Sequence, residues 1–89
     1  MGKPISFITE AWDDYLYWQS QDKKTLRRIN QLLQDIQRDN IDGLGKPEPL
    51  KADKTGYWSR RIDSANRLLY KITEEAIIVI SCRSHYDDK

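Results

Sequence analysis

YWSRRIDSANRLLYKITEEAIIVISCRS, residues 57–84, is the stretch that decides the fold. Within it Tyr57–Asp63, Arg67–Thr73 and Ala76–Ser84 are rich in the aromatic and β-branched residues that suit a pleated, half-buried surface. The polar turns between them are too short for a crossover helix, so the three strands are predicted to form an antiparallel meander. Side chains alternate faces along a strand. Even positions supply Trp58, Ile62, Leu68, Tyr70, Ile72, Ile78, Ile80 and Cys82, apolar apart from Arg60 in the same register. Odd positions supply Ser59, Arg61, Asp63, Arg67, Lys71, Ser81, Arg83 and His85, with Leu69, Ile77 and Val79 among them. If both turns pair odd with odd, the sheet has one apolar face for helices and one basic face, with Arg60 snorkelling at the rim.

Upstream, Ile5 to Ile8 is a short apolar run and reads as a strand. Thr9 can cap a first helix with Glu10 in its opening turn, and Trp12 and Leu16 are expected to face the core. Asp22 is the expected cap of a second helix running to about Asp39, in which Leu26, Ile29, Leu33 and Ile36 recur at three- and four-residue steps. The segment from Asn40 to Gly45 ends that helix, and Pro47 and Pro49 keep it from resuming. The predicted order is β-α-α-β-β-β, an α+β fold with two helices on one face of an antiparallel-rich sheet.

With 89 residues the chain is expected to form a single domain spanning 1–89 around one core. Three tryptophans and five tyrosines are foreign to disordered segments. Cys82 has no second cysteine to pair with and lies in an apolar run, which suits a small core residue in a reducing cytoplasm. No stretch approaches a membrane span, so no membrane partner is expected. Net charge is only +1, yet residues 46–71 hold seven basic and three acidic groups, +4 against −3 elsewhere. Such asymmetry fits a local site for a polyanion, and it equally fits a solvated basic face.

One short segment carries the sharpest chemical question. In GLGKPEPLK, residues 43–51, Pro47 and Pro49 flank Glu48. Each proline fixes its own φ, and Pro49 drives Glu48 into an extended conformation, so the carboxylate leaves the chain in a pre-set direction. That serves a rigid crossover between helix and sheet, or a catalytic base held still. Metal-free RNA cleavage needs a base for the 2′-hydroxyl, cationic donors for the phosphoryl oxygens and an acid for the departing 5′-oxygen. Glu48 is the candidate base, Arg61 and Arg67 offer planar forks for phosphate, and His85, the one histidine, is the candidate acid. Each also has an ordinary structural use: a backbone hydrogen bond for Glu48, surface ion pairs for the arginines, an inert position near the C-terminus for His85. One histidine and one cysteine give no spaced ligand set, so neither metal nor cofactor is expected.

The segments AWDDYLYWQ (11–19), GKPEPLK (45–51), GYWSRRI (56–62), NRLLY (66–70) and CRSHY (82–86), in this order, carry a resemblance across residues 5–86. The chain resembles the YoeB family of bacterial toxins, within the RelE-like superfamily of ribosome-dependent mRNA endonucleases. The resemblance implies Glu48 as general base, Arg67 as the phosphate-polarising group and His85 as general acid. It also implies Tyr86 shaping the site and Arg61 and Lys51 contacting substrate. Cleavage would fall on mRNA in the A site of the ribosome, leaving a 2′,3′-cyclic phosphate and a 5′-hydroxyl. Implied partners are a YefM-like antitoxin, a second copy in a homodimer, and operator DNA through the toxin–antitoxin complex. Two departures stand out: Asn66 occupies a position where close relatives are expected to carry histidine, and Asp87, Asp88 and Lys89 follow His85-Tyr86. Two other classes compete: a catalytically silent domain that docks on ribosomes or a partner through the same basic face, and a ribonuclease acting on naked RNA, which the low net charge disfavours.

Overall fold

The computed structural model describes residues 2–38, 43–50 and 56–83. Its elements are β1 (Ile5–Phe7), α1 (Thr9–Gln21), α2 (Lys23–Gln37), β2 (Glu48–Pro49), β3 (Tyr57–Arg61), β4 (Arg67–Ile72) and β5 (Ile77–Ser81). The five strands form one sheet in the order β1-β5-β4-β3-β2, with β1 parallel to β5 and every other pair antiparallel. This is the expected α+β architecture with one strand more. β2 is too short to show a period of its own, and Pro47 and Pro49 around Glu48 read as loop.

Local chemistry explains the helix boundaries. Asp22 sits between the helices in an extended conformation, and its carboxylate accepts from the amides of Lys24 and Thr25 at 3.1 and 3.2 Å. The Thr25 hydroxyl, donating to Asp22 Oδ2 at 2.8 Å, holds its carboxyl below the usual range, and the two amide bonds add to the effect. At the start of α1 the expected cap is displaced by one residue. Ile8, whose amide still bonds Val79 O at 3.2 Å, is the last extended residue, so Thr9 falls inside the helix and caps nothing.

One core joins both helices to the sheet. Ile29, Leu32, Leu33 and Ile36 of α2 and Ala11 and Trp18 of α1 pack with Ile62, Leu68, Tyr70, Ile77, Val79 and Cys82. The α1 stripe differs from the expected one: Trp12 and Leu16 are 45% and 41% exposed. Ala11 and Trp18 face inward instead, because the small alanine lets α1 approach until its carbonyl lies 3.8 Å from Cys82 Sγ. Trp12 lies against Phe7 and Tyr15, with ring centroids 5.7 and 5.9 Å away.

Register is the second correction. Trp58↔Tyr70 and Arg61↔Arg67 keep even with even and odd with odd across β3 and β4, as expected. Between β4 and β5 an irregularity at Leu69/Tyr70 changes the partners from Leu69↔Ser81 to Tyr70↔Val79. Ile77 and Val79 therefore enter the core while Ile78 and Ile80 remain partly exposed, the reverse of the parity forecast. The bulge restores Cys82 to the interior. A neutral thiol without water explains why its pKa is pushed up to about 12 by burial, with the Asp14 carboxylate adding to the effect.

Candidate active site on the face away from the helices

Glu48 stands on β2, the edge strand beyond β3. It pairs with Ser59, and Pro49 pairs with Trp58. Proline is tolerated there because an edge strand has no outer partner awaiting its missing N–H. Leu50 supplies the one amide that follows, donating to Tyr57 O at 2.9 Å.

Two strands away, Arg67 opens β4 and sends its guanidinium back across β3. Its Nη1 lies 3.2 Å from Glu48 Oε1 and 3.4 Å from Ser59 Oγ. The Glu48 side chain is 64% exposed and that of Arg67 22%. An ion pair this wet adds about 0–1 kcal/mol to stability, so folding gains little from keeping it. Arg61 lies directly opposite Arg67 on β3 and is exposed. Like charges facing each other across a strand pair repel. Arg61 makes no ion pair among the described residues, so the face offers an anion one unengaged guanidinium beside an engaged one.

The sequence-predicted residues divide cleanly. Glu48, Arg67 and Arg61 come together on one face. Lys51, His85 and Tyr86 lie outside the described residues. The approach to that C-terminal segment is firmly held: Trp18 Nε1 donates to Cys82 O at 2.8 Å, Cys82 N donates to Asp14 Oδ2 at 3.0 Å, and Arg83 stacks 3.5 Å above the Tyr17 ring. Among the described residues, no group of three or more His, Cys, Asp or Glu side chains could hold a metal ion, and no helix is long and apolar enough to cross a membrane.

Sequence reasoning missed two participants. Ser59 is 2% exposed and bonds Arg67, but its type and position gave no signal beyond strand parity. Arg60 does not snorkel. It is 2% exposed, with Nη1 2.6 Å from Asp35 Oδ2 and Nε 3.0 Å from the Tyr70 hydroxyl. The signal was present: an arginine in an otherwise apolar register, and Asp35 one residue from Ile36 in the apolar stripe of α2. Burial pushes the Tyr70 hydroxyl pKa up, against the opposing influence of Arg60.

A family model described as the YoeB-like toxin of bacterial type II toxin-antitoxin systems matches residues 7–86. Toxin YoeB of Synechocystis sp. (strain ATCC 27184 / PCC 6803 / Kazusa) is 56% identical over 82 residues, which are 92% of this chain and 95% of that one. The YoeB dimer from Staphylococcus aureus superposes with a TM-score of 0.89 at 44% identity, covering 97% of this chain and 100% of that one. The chain in the YoeB-YefM complex from the same organism gives 0.85 at 42% identity, again covering 97% and 100%. Two helices on one face of this five-stranded sheet, with a carboxylate and arginines on the other, define a small toxin of the RelE-like fold. Within that class the chain belongs to the YoeB-like toxins of bacterial type II toxin–antitoxin systems.

Proposed function

We propose that this toxin is a ribosome-dependent endoribonuclease that cleaves mRNA in the A site without a metal. The observation that carries the reading is the Glu48–Arg67 pair on an exposed sheet face, with Arg61 opposite Arg67. Glu48 takes the proton of the 2′-hydroxyl as that oxygen attacks the neighbouring phosphorus. Arg67, with Arg61 beside it, spreads the charge that builds on the phosphoryl oxygens. His85 returns a proton to the departing 5′-oxygen, leaving a 2′,3′-cyclic phosphate and a 5′-hydroxyl. Lys51 and Tyr86 complete the contacts with the message. The substrate phosphate competes with Glu48 for Arg67, so docking of RNA releases the base.

A net charge of +1 attracts free RNA weakly at cellular salt. The ribosome supplies orientation, and the toxin completes the site. The S. aureus YoeB-YefM complex and YoeB dimer support a YefM-like antitoxin and a second copy of the chain as partners. In this reading the toxin works in the cytoplasm, and the toxin–antitoxin complex binds operator DNA.

Mapping mRNA ends after incubation with translating ribosomes tests the reading. Glu48→Ala, Arg67→Ala and His85→Ala should each slow single-turnover cleavage by about a hundredfold or more. Uncut message with folded toxin present would sink it. Translational arrest without new ends, surviving Glu48→Gln, is the outcome that identifies a silent ribosome-binding domain instead.

A further inference from the structure

Glu48 lies four residues after Leu44, and both peptide groups of Leu44 are gripped by one buried ion pair. Asp35 Oδ2 accepts the Leu44 amide at 2.9 Å, and Arg60 Nη1 donates to the Leu44 carbonyl at 3.1 Å. The same oxygen and the same nitrogen face each other at 2.6 Å, with side chains only 11% and 3% exposed. Arg60 is held in turn by Tyr70. The glycines of the loop fit this grip. A Cβ on Gly43 would fall on the Asp35 carboxylate, and Gly45 has φ 78° with its carbonyl accepting from Arg61 N at 2.7 Å. Lys46 follows at φ 52°, a left-handed conformation that a side-chain-bearing residue adopts at a cost and keeps only where its surroundings enforce it.

We infer that Asp35 and Arg60 are positioning residues for the reaction: their ion pair locks the 43–46 turn and thereby sets where β2 presents the Glu48 carboxylate. This rests on the ribonuclease reading above. A buried ion pair is weak support for stability, since apolar residues of similar volume often serve a core as well or better. Here it does something apolar residues cannot, because it satisfies a donor and an acceptor of the same backbone residue at once. It connects the C-terminal half of α2, the C-terminal half of β3 and the loop that leads into β2 and Glu48. The prolines fix local direction at Glu48. The ion pair fixes where that local direction starts.

The test measures single-turnover cleavage on programmed ribosomes with wild type, Asp35→Asn, Glu48→Gln and the double variant. Asp35→Asn keeps the side chain's size and removes its charge. It should slow cleavage by about tenfold or more at saturating ribosomes, with the half-saturating concentration within about twofold. In the Glu48→Gln background it should cost almost nothing further, because a group acting through Glu48 has nothing left to position. Amide exchange at Leu44 and Arg61 should quicken in Asp35→Asn. A wild-type rate for Asp35→Asn, or an equal loss in both backgrounds, overturns the inference. Should Asp35→Asn fail to fold, Tyr70→Phe removes one acceptor from Arg60 and must show a smaller loss confined to the background that retains Glu48. Absence of cleavage by wild type defeats the ribonuclease reading instead. Exchange alone then decides the lock: quickened Leu44 exchange sustains it, and unchanged exchange overturns it.

Discussion

Arg67 Nη1 reaches Glu48 Oε1 at 3.2 Å by crossing the width of β3, passing Ser59 Oγ at 3.4 Å on the way. The carboxylate and the guanidinium to which we assign the base and the phosphate-polarising role are thus tied to each other through the sheet, although they are 19 residues apart in sequence. Arg67→Lys should therefore not be conservative. A lysine keeps the charge but loses the planar fork that can serve carboxylate and phosphate together. Single-turnover cleavage should fall for Arg67→Lys to between wild type and Arg67→Ala, and wild-type activity in the lysine variant would remove the bidentate role.

Ser59→Ala tests the intermediate contact. The hydroxyl accepts from Arg67 at a long 3.4 Å, so its loss should fall in the range of an ordinary hydrogen bond and below that of bonds to charged groups, about a three- to tenfold slower cleavage. Thermal stability should barely move. A large drop in Tm with unchanged rate would make Ser59 a packing residue only.

Gly45→Ala should destabilise the fold by about 1–3 kcal/mol. A Cβ there would lie 2.8 Å from Arg61 O and 2.9 Å from Leu32 Cδ2, on a backbone at φ 78°. For a domain of this size each kcal/mol lowers Tm by about 4–8 °C, which differential scanning calorimetry resolves.

Leu32 is fully buried where α2 meets that loop. Leu32→Ala should cost about 2–5 kcal/mol from lost burial and the cavity left behind. Urea denaturation measures it, and a loss below about 1 kcal/mol would mean that the loop collapses into the space.

Cys82 provides a pH prediction with a definite sign. The unfolded chain releases the thiol proton in the ordinary range, while the folded chain keeps it until about 12. This contribution is fully present below the unfolded value and is lost as pH rises from there towards 12. Tyr70, also raised, acts in the same direction at high pH. Cys82→Ala should flatten the alkaline decline in Tm without abolishing it. Native Cys82 should resist iodoacetamide at pH 8 by about the pace of unfolding, and rapid labelling would contradict its burial.

The amino-acid sequence by itself determined the element types. Period-two runs specify β3, β4 and β5, the three- and four-residue spacing specifies α2, and Asp22 has the chemistry of a cap whatever surrounds it. The family motifs in order also marked Glu48, Arg61 and Arg67 before any geometry was known. Tertiary structure decided the rest, because those features depend on which surfaces meet. Ala11 rather than Trp12 faces inward because close approach to β5 favours the smaller residue. The β4–β5 bulge moves Ile77 and Val79 into the core, a shift that no single strand can announce. Arg60 is buried because Asp35, 25 residues earlier, meets it beneath Leu44. Pro47 and Pro49 could stiffen the backbone around Glu48, but only long-range contacts could place that carboxylate beside Arg67, since local dihedral preferences fix direction and not position.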